Sequence, residues 1–389
     1  MAPRPAALLV FVDKASPSRT SSRRQSAPPT AERHGMSDDP VSAPFENYLH
    51  RALAAGAHYN DLLEIRRGLN GLENWREAWC RQADLARLRA DNALTAGRAV
   101  TGAGDLVRAA MLYHFAQVFH FGDPSAKRSA HMQAVQCFAA AAPHLEPPLR
   151  PVAIPFGKST LPGYLRLPRN VDRPPCVILL GGLDSTKEEH FAFTSACADR
   201  GLATLSFDGP GQGETFYSMK LSPTPFVAAG IAAFDFAETL GESDPDRLAI
   251  MGRSMGGHFA PRIAAAEKRA KAVAVWGAMY HLRDHASLPT QARAGFSHAT
   301  GLTAQGDLEA FFAEMDLDGI AAGIDQPLMI VHSGRDIITP TIHATLLEDA
   351  AAGPVETLFF DTARHCAFEQ AHIVIPAISD FLAETLRAT

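Results

Sequence analysis

Cysteine is scarce in this chain and scattered where it occurs. Cys80, Cys137, Cys176, Cys197 and Cys366 lie far apart, without the close pairs of a zinc site and in an odd number that a complete disulfide framework would not use. A reducing cytoplasm is therefore the expected compartment. No apolar run approaches the roughly 20 residues that cross a bilayer, so no membrane span is expected. A basic surplus is missing too: 36 Lys and Arg face 42 Asp and Glu, for a formal net charge of −6, which leaves no electrostatic footprint for nucleic acid. The sixteen histidines form no ligand motif, and neither a P-loop ending nor a dinucleotide fingerprint is present. Neither metal nor organic cofactor is expected, and the partner is expected to be a small molecule.

Large apolar residues are nearly absent from 16–44, a stretch rich in Ser, Pro, Arg and Asp. Such a segment buries too little surface to offset the entropy of ordering, and disorder is expected for the extension 1–44. Arg4 before the apolar residues 6–12 imitates a signal peptide, but Asp13 and Lys14 cut that run near the minimum length. Met36 is a candidate start of translation, with a basic targeting peptide as the alternative.

What the chain does have is length and apolar content: 389 residues, 47% hydrophobic, enough for one large domain and a smaller one. Helical periodicity runs through 48–63, 75–88 and 104–121 with few β-branched clusters. This predicts an all-helical N-terminal domain over 45–148, ending in the breaker-rich 142–148. The aromatic run 113–121 reads equally as pocket lining or as core. From 149 onward short apolar runs alternate with helical patterns, the texture of a mostly parallel sheet covered by helices. Strands are expected at 152–156, 163–167, 176–180, 203–207, 248–251, 272–276, 328–332 and 357–360. The stretch 279–324 is too long for one crossover helix, so part of it is expected to roof a site.

The strongest motif is Gly252-Arg253-Ser254-Met255-Gly256, directly after the strand at 248–251 and before a helical pattern. A G-x-S-x-G sequence in that setting presents serine on a strained turn, with the following helix pointing its amides at developing negative charge. A serine nucleophile needs a base and an orienting acid, and in this arrangement they follow in the order acid, then histidine. Asp336, in the turn after strand 328–332, and His365, in the loop after strand 357–360, fill those places. His332, His343 and His372 compete for the base role but fall in a strand or in helices; Asp361 competes as orienter. The expected fold is accordingly α/β, an α/β-hydrolase sheet of eight mostly parallel strands with flanking helices and a helical N-terminal cap.

An oxyanion hole requires two backbone N–H groups. Met255, after the nucleophile, is expected to supply one, and Leu183, in the Gly181-Gly182-Leu183-Asp184-Ser185 turn after strand 176–180, the other. Ser185 and Glu188 have the spacing of a capping box. Asp184, outside that pattern, is either a substrate-binding carboxylate or a turn former. Cys366, beside His365, reads as a packed small residue, with a reactive thiol as the alternative. The turn 208–214, Asp-Gly-Pro-Gly-Gln-Gly-Glu, lacks a phosphate-binding ending and reads as a tight structural turn beside the site.

Together, the segments 181–189, 208–214 and 252–257 resemble the 2,6-dihydroxypseudooxynicotine hydrolase family, which includes similar fungal polyketide-shortening hydrolases. The resemblance covers the chain from about Phe45 to its end. It implies hydrolysis of a carbon–carbon bond next to a ketone, a helical domain capping the site, and a homodimer. Residue by residue it assigns the triad to Ser254, Asp336 and His365, and sets Asp184 where the family has a functional glutamate one methylene longer. A carboxylesterase or peptidase-like acyl hydrolase would use the same triad, and a catalytically silent binding protein would keep only the fold.

Overall fold

The computed structural model describes residues 41–119 and 122–388. Helix α1 (Ser42–Ala55) starts within the segment expected to be disordered, and 1–40 lie outside the described residues. Helices α2 (Tyr59–Gly68), α3 (Trp75–Thr95), α4 (Ala99–Ala116) and α5 (Pro124–Ala141) complete an N-terminal helical unit. The periodicity at 48–63 is not one helix. Gly56 adopts a φ of 110° and its N–H caps carbonyls of α1, which ends that helix and starts a new direction. Trp75, Trp79, Phe115 and Phe138 fill this unit's own core, and the Trp75 indole donates to the Phe115 carbonyl at 2.9 Å.

The remainder forms one eight-stranded sheet in the order β1-β2-β4-β3-β5-β6-β7-β8. Its strands are β1 (Leu149–Phe156), β2 (Ser159–Arg166), β3 (Cys176–Leu180), β4 (Ala203–Phe207), β5 (Leu248–Arg253), β6 (Ala270–Trp276), β7 (Leu328–Ser333) and β8 (Val355–Phe360). β1 and β2 pair antiparallel, and from β4 to β8 every neighbouring pair is parallel. This is the α/β-hydrolase fold with a helical N-terminal region. Strands β3, β4, β5 and β7 are buried at every position, and mostly apolar, because both faces are covered. On β3, Val177 and Leu179 pack toward α6 (Phe191–Ala198) and α12 (Ala371–Ala388), whereas Ile178 and Leu180 pack toward α7 (Pro223–Thr239) and α8 (Gly256–Ala266).

Between β6 and β7 the long insertion folds into α9 (Thr290–Thr300) and α10 (Gln305–Glu314), while α11 (Ile342–Ala350) precedes β8. No capping box forms at 185–188. Residues Lys187–His190 make a 3-10 turn whose N-cap, Thr186, accepts no side-chain cap bond. Ser185 Oγ instead accepts from Arg51 at 3.2 Å and Arg253 at 3.0 Å, and Glu188 lies buried against the Lys187 ammonium at 2.7 Å. Two cations converging on the hydroxyl, and a third on the carboxylate, outbid a local cap.

The helical unit is fastened to the sheet by α1. Arg51 forks onto Glu189, with Nε to Oε1 at 2.7 Å and Nη2 to Oε2 at 2.8 Å. Arg253 approaches the same carboxylate at 2.8 Å. Burial opposes a charged Glu189, but Arg253 and Arg51 outweigh it and hold the carboxyl well below its usual range. Removing one partner from such a buried group costs about 3–5 kcal/mol. Because Arg253 remains, Arg51→Met should lose about 3 kcal/mol, read as a lower urea midpoint with amide-exchange protection lost first in α1. An unchanged midpoint would show that the fork adds no stability.

Candidate active site

The four segments expected to build the site all leave the sheet at the C-terminal ends of their strands, where open α/β sheets present ligand crevices. At the end of β5 the chain turns at once into α8, and Ser254 sits at the turn with a φ of 55°. That left-handed conformation costs about 1–3 kcal/mol for a non-glycine residue and persists only where its surroundings impose it. Here they do. A Cβ on Gly252 would stand 1.9 Å from the Gly256 carbonyl oxygen, and one on Gly256 2.4 Å from the Leu180 carbonyl oxygen. The Ser254 N–H is held by the Trp276 carbonyl at 2.9 Å.

Ser254 Oγ lies 2.8 Å from His365 Nε2, and His365 Nδ1 lies 2.7 Å from Asp336 Oδ2. The structure thus brings together the three residues expected to form the triad. Asp336 is fixed by its own turn: Oδ1 accepts from the N–H groups of Ile338 at 2.9 Å and Thr339 at 2.8 Å, and Oδ2 from Thr339 Oγ1 at 2.8 Å. Burial works against its charge, yet the facing His365 and the Thr339 N–H bring the carboxyl down to about 2. Burial likewise opposes an imidazolium at His365, but the Asp336 carboxylate outweighs it and raises the ring well above its ordinary value.

His332 and His343 are occupied elsewhere. His332 accepts from the Ala278 N–H at 3.2 Å and meets the Thr339 carbonyl at 2.9 Å, and His343 accepts from the Tyr280 N–H at 3.2 Å. His372 lies exposed in the first turn of α12, and Asp361 is exposed. Cys366 is packed: its thiol meets the Trp276 carbonyl at 3.5 Å and lies 3.5 Å from His365 Nε2. Cys366 and Ala367 both take positive φ, 60° and 44°, which turns the chain sharply behind His365.

The loop after β3 lies over Ser254, close enough that a Cβ on Gly182 would be 3.3 Å from the Ser254 Cβ. Among the described residues, neither the Leu183 nor the Met255 N–H donates a hydrogen bond, and both residues border the cavity that Ser254 faces. Gln212, in the turn 208–214, pins this loop by donating Nε2 to the Gly181 carbonyl at 3.0 Å and the Gly182 carbonyl at 2.5 Å. Asp208 in the same turn accepts from the Lys187 N–H at 2.8 Å and the Glu214 N–H at 2.9 Å.

Asp184 is engaged from the helical side, accepting from Arg51 Nη1 at 2.8 Å and the Tyr48 hydroxyl at 3.1 Å. Its side chain keeps 30% exposure toward the cavity. That cavity has a volume of about 360 Å³ and is walled by Val118 and Phe119 of the helical unit, Met279 and Phe296 of the long insertion, Ile338 and Phe368. Phe115, from the same aromatic run, packs in the core; residues 120 and 121 lie outside the described residues. Among the described residues, no group of three His, Cys, Asp or Glu is arranged to hold a metal ion.

Sequence reasoning missed Arg51, Tyr48, Arg253, Gln212 and Thr339. Only Thr339 had a local signal, since a threonine three residues after an aspartate suits a turn closed by that carboxylate.

Comparison with known proteins fits this architecture. A family model described as FrsA-like esterase matches residues 47–290. The chain belongs to the FrsA-like esterase family. Among curated relatives, the 2,6-dihydropseudooxynicotine hydrolase of Paenarthrobacter nicotinovorans is 28% identical over 318 residues, covering 81% of this chain and 85% of that protein. The hydrolase acrC of Aspergillus aculeatus is 33% identical over 266 residues, 62% of each chain. The crystal structure of a 2,6-dihydroxy-pseudo-oxynicotine hydrolase superposes with a TM-score of 0.81 at 25% identity, covering 87% of this chain and 96% of that one. The relatives named here are hydrolases, and this chain shares the fold of the solved one over 87% of its length.

The raised His365 sets a pH dependence. A base must be neutral to take a proton, so kcat/KM should fall as pH drops through a limb lying above about 6.5, the ordinary imidazole value. Asp336→Asn should move that limb to lower pH and reduce kcat by about 10⁴-fold. A pH–rate profile of both proteins, with circular dichroism to confirm folding, checks this; a limb that stays in place excludes Asp336 as the orienting acid.

Proposed function

We propose that this chain is a serine hydrolase that cleaves a carbon–carbon bond next to a ketone in an aromatic or polyketide-like small molecule. The observation that carries the proposal is the continuous relay from Ser254 through His365 to Asp336, at 2.8 Å and 2.7 Å, opening on an apolar cavity of about 360 Å³. A cavity of that size suits a small-molecule substrate, and the likeness to the 2,6-dihydropseudooxynicotine hydrolase supports a ketone with a stabilised leaving carbon.

His365 takes the Ser254 proton as Oγ attacks the carbonyl carbon. The resulting oxyanion is met by the N–H groups of Leu183 and Met255 at the start of α8. Collapse breaks the bond to the leaving carbon, and the His365 imidazolium protonates that carbon. Water, activated by the same histidine, then releases the acid from Ser254. The leaving carbon must delocalise its electron pair, as a polyhydroxylated ring or a β-dicarbonyl does, because a simple alkyl carbanion is too basic to depart.

Ester hydrolysis is the second reading, favoured by the description of the family model; it uses the same residues without requiring a carbon leaving group. The five cysteines are unpaired, which supports a reducing cytoplasm, and the family resemblance supports a homodimer.

Purified protein should hydrolyse members of a panel of hydroxyaryl ketones and β-diketones faster than matched esters. Ser254→Ala should lose about 10⁶-fold in kcat and all labelling by a fluorophosphonate. Fast ester turnover without ketone cleavage would replace the first reading with the second, and near-normal activity in folded Ser254→Ala would reject both.

A further inference from the structure

Beyond the main cavity lies a second, smaller chamber of about 50 Å³. The two share Leu183, Asp184, Ser185 and Gly295 in their walls, so the chamber adjoins the main cavity at the loop that carries the Leu183 N–H. Its character is different. The main cavity is mostly apolar, whereas the chamber sets Gln117, Lys127 and His131 of the helical unit and Tyr217 and His298 of the hydrolase domain beside the apolar Phe216 and Ala299. We propose that this chamber is the leaving-group subsite, in which Lys127 and His131, the latter oriented by Tyr217, bind the hydroxyl or enolate oxygen onto which the departing carbon's electron pair is delocalised.

This rests on the carbon–carbon reading above and names the substrate class it requires: a ketone whose leaving ring or enol carries an oxygen adjacent to the cleaved bond. The volume fits that task. A single water occupies roughly 10–15 Å³ of such a space, so a chamber of about 50 Å³ admits the oxygenated edge of a ring but not a whole second ring. Its chemistry fits as well. Lys127 Nζ donates to the Gln117 carbonyl at 2.9 Å and to the Gln117 side-chain oxygen, which fixes the ammonium on the chamber wall. Burial brings the Lys127 ammonium down to about 8, against the attraction of Asp184.

The His131 ring lies 2.9 Å through Nδ1 from the Tyr217 hydroxyl, while its buried Nε2 has no hydrogen-bond partner among the described residues. Burial pushes His131 down to about 3, so the ring is neutral near pH 7. Nε2 is thus a buried polar atom without a partner among the described residues, and in the tautomer in which Nδ1 accepts from the Tyr217 hydroxyl it carries the ring's proton and is a donor aimed at a ligand oxygen. A buried polar group left in that state costs about 1–3 kcal/mol, which a ligand oxygen would relieve. No step of the hydrolysis at Ser254 otherwise uses these residues.

The electron accounting is complete without a further reactant. The Ser254 Oγ–carbonyl carbon bond forms and the carbon–carbon bond breaks. Its electron pair passes to the leaving carbon and onto the adjacent oxygen, held by Lys127 and His131, until His365 returns the proton to carbon.

The probe is 4-nitrocatechol, whose absorption reports ionisation of its hydroxyl, with nitrobenzene as a control of similar shape lacking the oxygens. Full-length protein should bind 4-nitrocatechol with the phenolate spectrum at a pH where the free probe is protonated. Lys127→Met and Tyr217→Phe should each weaken that binding about tenfold while leaving nitrobenzene binding unchanged. Tyr217→Phe removes one hydroxyl and keeps the informative comparison should Lys127→Met fold poorly. Absence of binding, equal binding by the variants, or no preference over nitrobenzene overturns the subsite. The binding readout needs no turnover, so a wild-type protein that binds the probe in this way but cleaves no ketone would reject the carbon–carbon reading alone.

Discussion

The site depends on how closely three stretches of backbone approach one another where β5 becomes α8. Gly252 faces the Gly256 carbonyl and Gly256 faces the Leu180 carbonyl at distances that exclude any side chain. That contact forces Ser254 into the left-handed region and presents its hydroxyl above the sheet, at the N-terminus of α8. The position of the Ser254 hydroxyl is therefore set by backbone packing, and other groups are arranged around it: His365 from the loop after β8, and the Leu183 N–H from the loop after β3. Rigid elements meeting at one edge can hold such a constellation with the tolerance that catalysis demands.

A second constraint comes from burying charge between the helical unit and the sheet. Arg51 and Arg253 share Glu189, Arg51 also reaches Asp184, and both arginines reach Ser185. Buried ion pairs add little net stability over apolar packing, because desolvation consumes most of the attraction, but each group accepts only a narrow geometry. In this chain that geometry is imposed on the loop bearing the Leu183 N–H. Gln212 holds the same loop from the other side. The turn 208–214 thus contributes by clamping backbone, which explains glycines and a glutamine in a place that superficially suggests phosphate binding.

The helical unit also walls the space in front of Ser254. Val118 and Phe119 narrow the apolar cavity, and α5 contributes Lys127 and His131 to the smaller chamber beyond it. The two spaces meet at Leu183 and Asp184.

The order of the strands' apolar runs, the serine turn, the acid and the histidine were all legible in the sequence. Each is written within a few residues: a run buried on both faces, glycines flanking a turn, an aspartate after a strand. The capping box at 185–188 and the single helix at 48–63 were misread for the same reason, since local spacing cannot reveal that Ser185 is taken by two arginines or that Gly56 turns the chain. Only the tertiary structure decided the roles of Asp184 and Glu189. Their partners Tyr48 and Arg51 stand 133 to 138 residues away, and no periodicity or turn chemistry links residues so distant until burial of the α1 face forces their charges to find one another.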